Sequence, residues 1–357
     1  MRKGISSIAA IVLVGSLLMV GQTIVMAEGN SKDNAQGNSQ EKLNDPKYWG
    51  TPSQDINSDA DQQNYDRSAP SIPGIQVKGV RVFEPKKSQS PSNALMKYAS
   101  TGSGNLTNHG GSTLPAVTLY PIFWGPSWTS ASGHDYKGDV TNFLISSKCT
   151  GTTTTTLSCS GLTNVVAQYM GSATTSINVG TTYFDLTNPP TSAPSTGTIV
   201  AEAQKVVSAA KGVLDNKGLY LVFTNNFPSR ANYCGYHGAG SAKIGLVSTT
   251  IAVAYLPNPA TMGGCNASGL GITYKQNSPV SGVDSVVNIT THEIYEAMSD
   301  SIQIGNAWYD AKGYENGDKC AWNFGTTTMG NGINNPAGYT VQTEYNNFQS
   351  ACTDQYK

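Results

Sequence analysis

Thr291-His292-Glu293-Ile294-Tyr295-Glu296-Ala297-Met298-Ser299-Asp300 closes a segment, Asp284 to Ser299, that reads as one helix. Its apolar residues Val286, Val287, Ile289, Ile294, Ala297 and Met298 are suited to packing on a sheet, and Asp284 or Ser285 is the expected N-cap. A helix sets residues four apart on one face, so the His292 imidazole and the Glu296 carboxylate converge on one point. Glu293 lies beside that point.

Before the motif, Leu219 to Thr224 reads as a buried strand, and Ala242 to Leu256 as a strand pair rich in Val, Ile, Thr and Tyr. Pro115 to Gly125 also reads as a strand, which Pro121 should make an edge or bend. Asp139–Ser147, Leu162–Met170 and Ile199–Leu214 carry helical spacing, and Ala311-Lys312-Gly313 reads as a turn. Strand, helices, strands and then the motif helix predict an α+β domain, with helices packed on a mixed β-sheet. That order is similar to the catalytic half of zincin proteases.

The motif is one residue from H-E-x-x-H, in which two histidines hold zinc and the glutamate is the general base. Here glutamate stands where the second histidine would be. A hydrolytic zinc needs three protein ligands and an open position for water. His292 and Glu296 are the candidate metal ligands and Glu293 the candidate base. The third ligand is expected downstream, from Glu315 or Asp318 in preference to Asp310. One histidine with two carboxylates is a hard, anionic set, so calcium or manganese competes with zinc as occupant. The same residues also fit a non-catalytic metal or polar site, or a hydrogen-bonded pair bracing the fold. His237, in Tyr233-Cys234-Gly235-Tyr236-His237, reads more readily as a core or loop histidine than as a ligand in the same cleft. No G-x-S-x-G elbow, P-loop or dinucleotide fingerprint appears.

The chain has 357 residues and a formal net charge of -1 without a basic block, which argues against nucleic acid as a partner. Arg2 and Lys3, the apolar run from Ile5 and the small residues before Glu28 read as a signal peptide, 1–27. The mature protein is then expected to be soluble, off the membrane, and secreted to an extracellular or cell-wall location. Residues 28–104 are polar and read as a largely disordered spacer or pro-segment, leaving 105–357 as a single α+β domain. Six cysteines in an exported chain predict a disulfide-stapled fold, most simply with sequential pairing: Cys149–Cys159, Cys234–Cys265 and Cys320–Cys352.

His109-Gly110-Gly111, Leu119-Tyr120-Pro121-Ile122-Phe123-Trp124-Gly125, Cys234-Gly235-Tyr236-His237 and the region Asp284 to Cys320 together resemble the phosphate-induced, EXORDIUM-like family. Thr291 to Glu296 with Ala307-Trp308-Tyr309-Asp310 looks like a bacterial-type branch. The resemblance covers roughly residues 105–355 and implies an extracellular, cell-wall-associated protein without a settled catalytic activity. Two functions follow as expectations. One is a secreted, metal-dependent, zincin-like peptidase acting on an extracellular peptide or cell-wall polymer, with Zn2+ or else Ca2+. The other is a non-catalytic wall- or carbohydrate-associated protein with a structural metal or polar site.

Overall fold

Leu219-Tyr220-Leu221-Val222-Phe223-Thr224, a strongly apolar run, lies wholly buried inside the main sheet. The computed structural model describes residues 26–27, 69–85, 104–129, 136–152, 161–171, 174–262, 264–266, 283–329 and 339–354. Its elements begin with β1 (Met26–Ala27), β2 (Gln76–Phe83), β3 (Thr107–Asn108), β4 (Ala116–Trp124), α1 (Tyr136–Ser146), β5 (Cys149–Thr152), α2 (Gly161–Ala167), β6 (Thr174–Val179) and β7 (Tyr183–Asp185). They continue with α3 (Thr196–Ala209), β8 (Gly218–Thr224), β9 (Gly235–Ile244), β10 (Val247–Pro257), α4 (Val283–Ser299), β11 (Trp308–Tyr309), β12 (Phe324–Met329), β13 (Tyr339–Gln342), β14 (Glu344–Asn346) and β15 (Ala351–Thr353).

The fold is α+β with a mixed sheet of order β1-β7-β4-β8-β10-β9-β2, to which β6 adds beside β4 and β5 beside β6. Strands β4, β8 and β10 run parallel, β9 turns back against β10, and β2 pairs antiparallel with β9. A parallel centre must be covered on both faces, which explains its near-continuous apolar runs. Along β8, Leu219, Leu221 and Phe223 face one core while Tyr220 and Val222 face the other. Helix α3 covers the second face with Ile199, Val200, Ala203, Val206 and Val207, and Ser195 caps it by accepting from the Thr198 N–H. Helices α1, α2 and α4 share the first face.

Several expectations change. Strand β4 is not an edge: it is paired with β8 on one side and with β6 and then β7 on the other. The Thr118 N–H points to the β8 side and the Leu119 carbonyl to the β6 side, so by alternation the Pro121 nitrogen also faces the β6 side. It falls between the pairs Leu119↔Val179 and Ile122↔Tyr183, where the neighbour changes. The missing N–H therefore costs no ladder bond. Within 28–104, read as spacer, Gln76–Phe83 is an ordered strand whose Val80, Val82 and Phe83 are buried. Helix α4 begins at Val283, so Asp284 and Ser285 lie in its first turn rather than at its cap.

Every residue of α4 is buried, including its polar ones. The Asn288 side chain accepts from the Gln342 N–H at 2.7 Å, Thr291 Oγ1 donates to the Val287 carbonyl at 2.8 Å, and the Tyr295 and Thr163 hydroxyls meet at 2.8 Å. Two expected disulfides are present, Cys234–Cys265 and Cys320–Cys352. Cys149 is also disulfide-bonded; Cys159, like residues 1–25 of the expected signal peptide, lies outside the described residues. Among the described residues no helix is long and apolar enough to cross a membrane.

Candidate metal centre

The centre forms where α4 crosses β9. Close approach needs Gly235, because a Cβ there would stand 2.7 Å from Ile289 Cγ2 and 3.1 Å from Glu293 Oε1. Two residues along β9, His237 is wholly buried against the helix. Its Nδ1 lies 3.1 Å from Glu293 Oε2 and 3.7 Å from Glu296 Oε2, while its Nε2 lies 3.1 Å from the Asp300 carbonyl oxygen. His292 Nε2 stands 3.0 Å from the same Glu296 Oε2 and 3.7 Å from Asp318 Oδ1. Glu296 thus lies between two imidazoles, one from the strand and one from its own helix.

The rings are held from behind. Phe83 of β2 stacks on His292 at 3.8 Å, and Trp322 stacks on Phe83 at 4.8 Å. On β13, Gln342 places its amide nitrogen 3.0 Å from His292 Nδ1 and 2.8 Å from the Gly317 carbonyl. Gly317 lies against the site so closely that a Cβ would meet His292 Nδ1 at 2.8 Å and Glu296 Oε1 at 2.9 Å. The next N–H, of Asp318, donates to Glu296 Oε1 at 2.9 Å. The Cys320–Cys352 disulfide anchors this turn two residues further on.

The candidate ligands from the sequence divide as follows. Asp318 joins His292 and Glu296, and it alone of the three reaches solvent, with 14% of its side chain exposed. Glu315 lies on the far side, with Oε1 3.8 Å from His237 Nε2 and Oε2 3.9 Å from Arg81 Nε. Asp310, the less favoured candidate, is engaged elsewhere: it accepts from the N–H groups of Lys312 and Tyr314 and from buried Lys319 at 3.0 Å. Sequence reasoning undervalued His237 and missed Arg81, Phe83 and Gln342. His237, Arg81 and Phe83 reach the site through the main sheet, and Gln342 through the packing of β13 against α4.

Charge makes the arrangement chemically pointed. Glu293, Glu296, Asp300, Glu315 and Glu344 are buried, and Asp318 is nearly so. Arg81 neighbours Glu315, and Lys319 is paired with Asp310. Burial, with Glu296 and Asp300 close by, pushes the Glu315 carboxyl well up; burial, reinforced by Glu296 and Asp318, does the same to Glu344. Burial lowers His237 to about 3, with Arg81 and His292 adding to it. It lowers His292 to about 4, against an opposing pull from Asp318 and Gln342. Both rings are therefore neutral near pH 7, the form in which imidazole binds metals.

So many buried carboxylates call for protons or a cation among them. Two overlapping groups could hold a metal ion, His237–Glu293–Glu296 and His292–Glu296–Asp318. Ligands about 2.0–2.2 Å from an ion stand roughly 3–3.5 Å apart, and the observed separations lie near that range. No family model, curated protein or solved structure matches the chain.

Proposed function

We propose that this chain is a secreted, metal-dependent hydrolase of the zincin-like kind, with peptide bonds as its substrate class. The observation that carries the reading is the pairing of His237 with the H-E-x-x-E helix, which sets two neutral imidazoles and two further carboxylates, Glu293 and Asp318, around Glu296. A divalent ion there would lower the pKa of a bound water towards neutrality and polarise a carbonyl. Glu293 is the acidic group to test, and the partly exposed Asp318 marks the side facing solvent. Imidazole donors favour zinc over calcium, which prefers oxygen ligands alone. The disulfides fit an oxidising, extracellular setting, consistent with secretion and a wall or peptide substrate.

One observation favours a second reading, the non-catalytic protein with a structural metal. All the candidate donors except Asp318 are enclosed, and closed sites are characteristic of structural ions. Among the described residues, the tryptophans that could line a carbohydrate groove lie on different faces of the sheet. Trp124 lies on the α3 face, whereas Trp128, Trp308 and Trp322 belong to the opposite core. A casein or peptide assay of the zinc-loaded protein and of Glu293→Gln separates the two readings. Cleavage by the zinc-loaded parent that the variant loses supports the hydrolase. Metal binding without cleavage in the parent protein supports the structural site.

A further inference from the structure

The two imidazoles are tied in opposite senses. His237 Nε2 faces the Asp300 backbone carbonyl, which can only accept, so Nε2 carries the ring hydrogen. Nδ1 is then the nitrogen left to bind a cation, and its neighbours are the carboxyl oxygens Glu293 Oε2 and Glu296 Oε2. For His292 the order is reversed. The Gln342 amide nitrogen donates to the Gly317 carbonyl, which fixes the amide, and its second hydrogen points at His292 Nδ1. That nitrogen must accept. His292 Nε2 therefore carries the hydrogen, directed towards the side of Glu296 and Asp318.

A ligating histidine typically gives its other N–H to a carbonyl or carboxylate, which fixes the tautomer and raises the basicity of the ligating nitrogen. His237 has that pattern and His292 has its reverse. We infer that the imidazole ligand of the ion is His237, through Nδ1, with Glu293 and Glu296 as the carboxylate donors, and that His292 is a positioning residue holding Glu296. The inference rests on the reading that an ion is bound, and it changes which groups hold it. Nδ1 and the two carboxyl oxygens around it call for a proton or a cation between them, and the position shared by these three atoms is where an ion would sit. The ligand set then joins β9 to α4 across 56 residues of sequence, rather than lying on the helix alone. Glu293 acts as a donor atom rather than a free base, and activation of the water falls to the ion.

Loading the full chain, labelled with 15N-histidine, with 113Cd2+ tests this directly. The chain has 4 histidines, assigned by their loss in single His→Gln variants. The expected long-range 1H–15N spectrum shows 113Cd coupling at His237 Nδ1, a protonated His237 Nε2, and no coupling at His292. Coupling at His292 Nε2, or none at His237, would overturn the assignment. Failure to take up any cadmium or zinc would instead remove the underlying metal reading. In zinc titrations His237→Gln is expected to weaken binding by more than about 100-fold and His292→Gln by about 10-fold, the scale of a supporting contact. Equal losses, or a larger loss at His292, would count against the proposal.

Discussion

Gly317 shows how little freedom the centre has. Its backbone is ordinary right-handed helical, φ -70°, so glycine is needed there for space rather than for a special conformation. Gly317→Ala would drive a methyl into His292 and Glu296, and is expected to cost about 1–3 kcal/mol in urea unfolding. It should also lower zinc affinity, because the turn carrying Asp318 must move. A variant as stable as the parent would show that the turn does not press on the site. At this scale the sequence was only partly informative. The convergence of His292 and Glu296 follows from helix geometry, whereas the spacing leaves the third group open between Glu315 and Asp318, the latter 22 residues beyond Glu296. His237 did not announce itself, since nothing local distinguishes it from a core histidine; its partner Glu293 is 56 residues away and is reached only through the register of β9.

Elements were legible in proportion to their periodicity. Helix α4 and strand β8 follow from their apolar patterns, and the main revisions fall where the pattern is short or diluted. Strand β2 sits among polar residues, and only Val80-Arg81-Val82-Phe83 carries its buried end. Phe83 links that edge strand to the centre by stacking on His292, so Phe83→Ala should cost about 3–5 kcal/mol in denaturant unfolding. A loss below about 1 kcal/mol would mean that β2 does not support the site. The opposite face of the sheet carries a pH prediction independent of the metal. Buried Glu202 of α3 is raised to about 8, chiefly by burial, with Asp185 adding to the rise and Lys205 opposing it. Between about pH 4.5 and 8 the folded state keeps a proton that the unfolded chain has lost, so this group makes stability fall as pH rises, by up to about 1.4 kcal/mol per pH unit. Glu202→Gln should flatten that slope, and an unchanged slope would place the titration elsewhere.

Across the whole molecule, the α+β class and two disulfide pairings were readable from element order and cysteine spacing. How β2 closes the sheet, and how the turn after α4 folds back on the helix, depend on long-range packing that composition conceals. Cys320–Cys352 closes a loop of 32 residues around that turn. Replacing both cysteines by serine is expected to cost about 2–5 kcal/mol in urea unfolding and to weaken zinc binding with it. Unchanged zinc affinity would separate the disulfide from the centre. The central claim, that the buried cluster is a metal centre, is tested most directly by calorimetric titration of zinc into the chelator-stripped full chain near pH 7, in buffers of different ionisation enthalpy. The account predicts saturation at one ion per chain with release of protons from the raised carboxyl groups. The absence of saturable binding would contradict it.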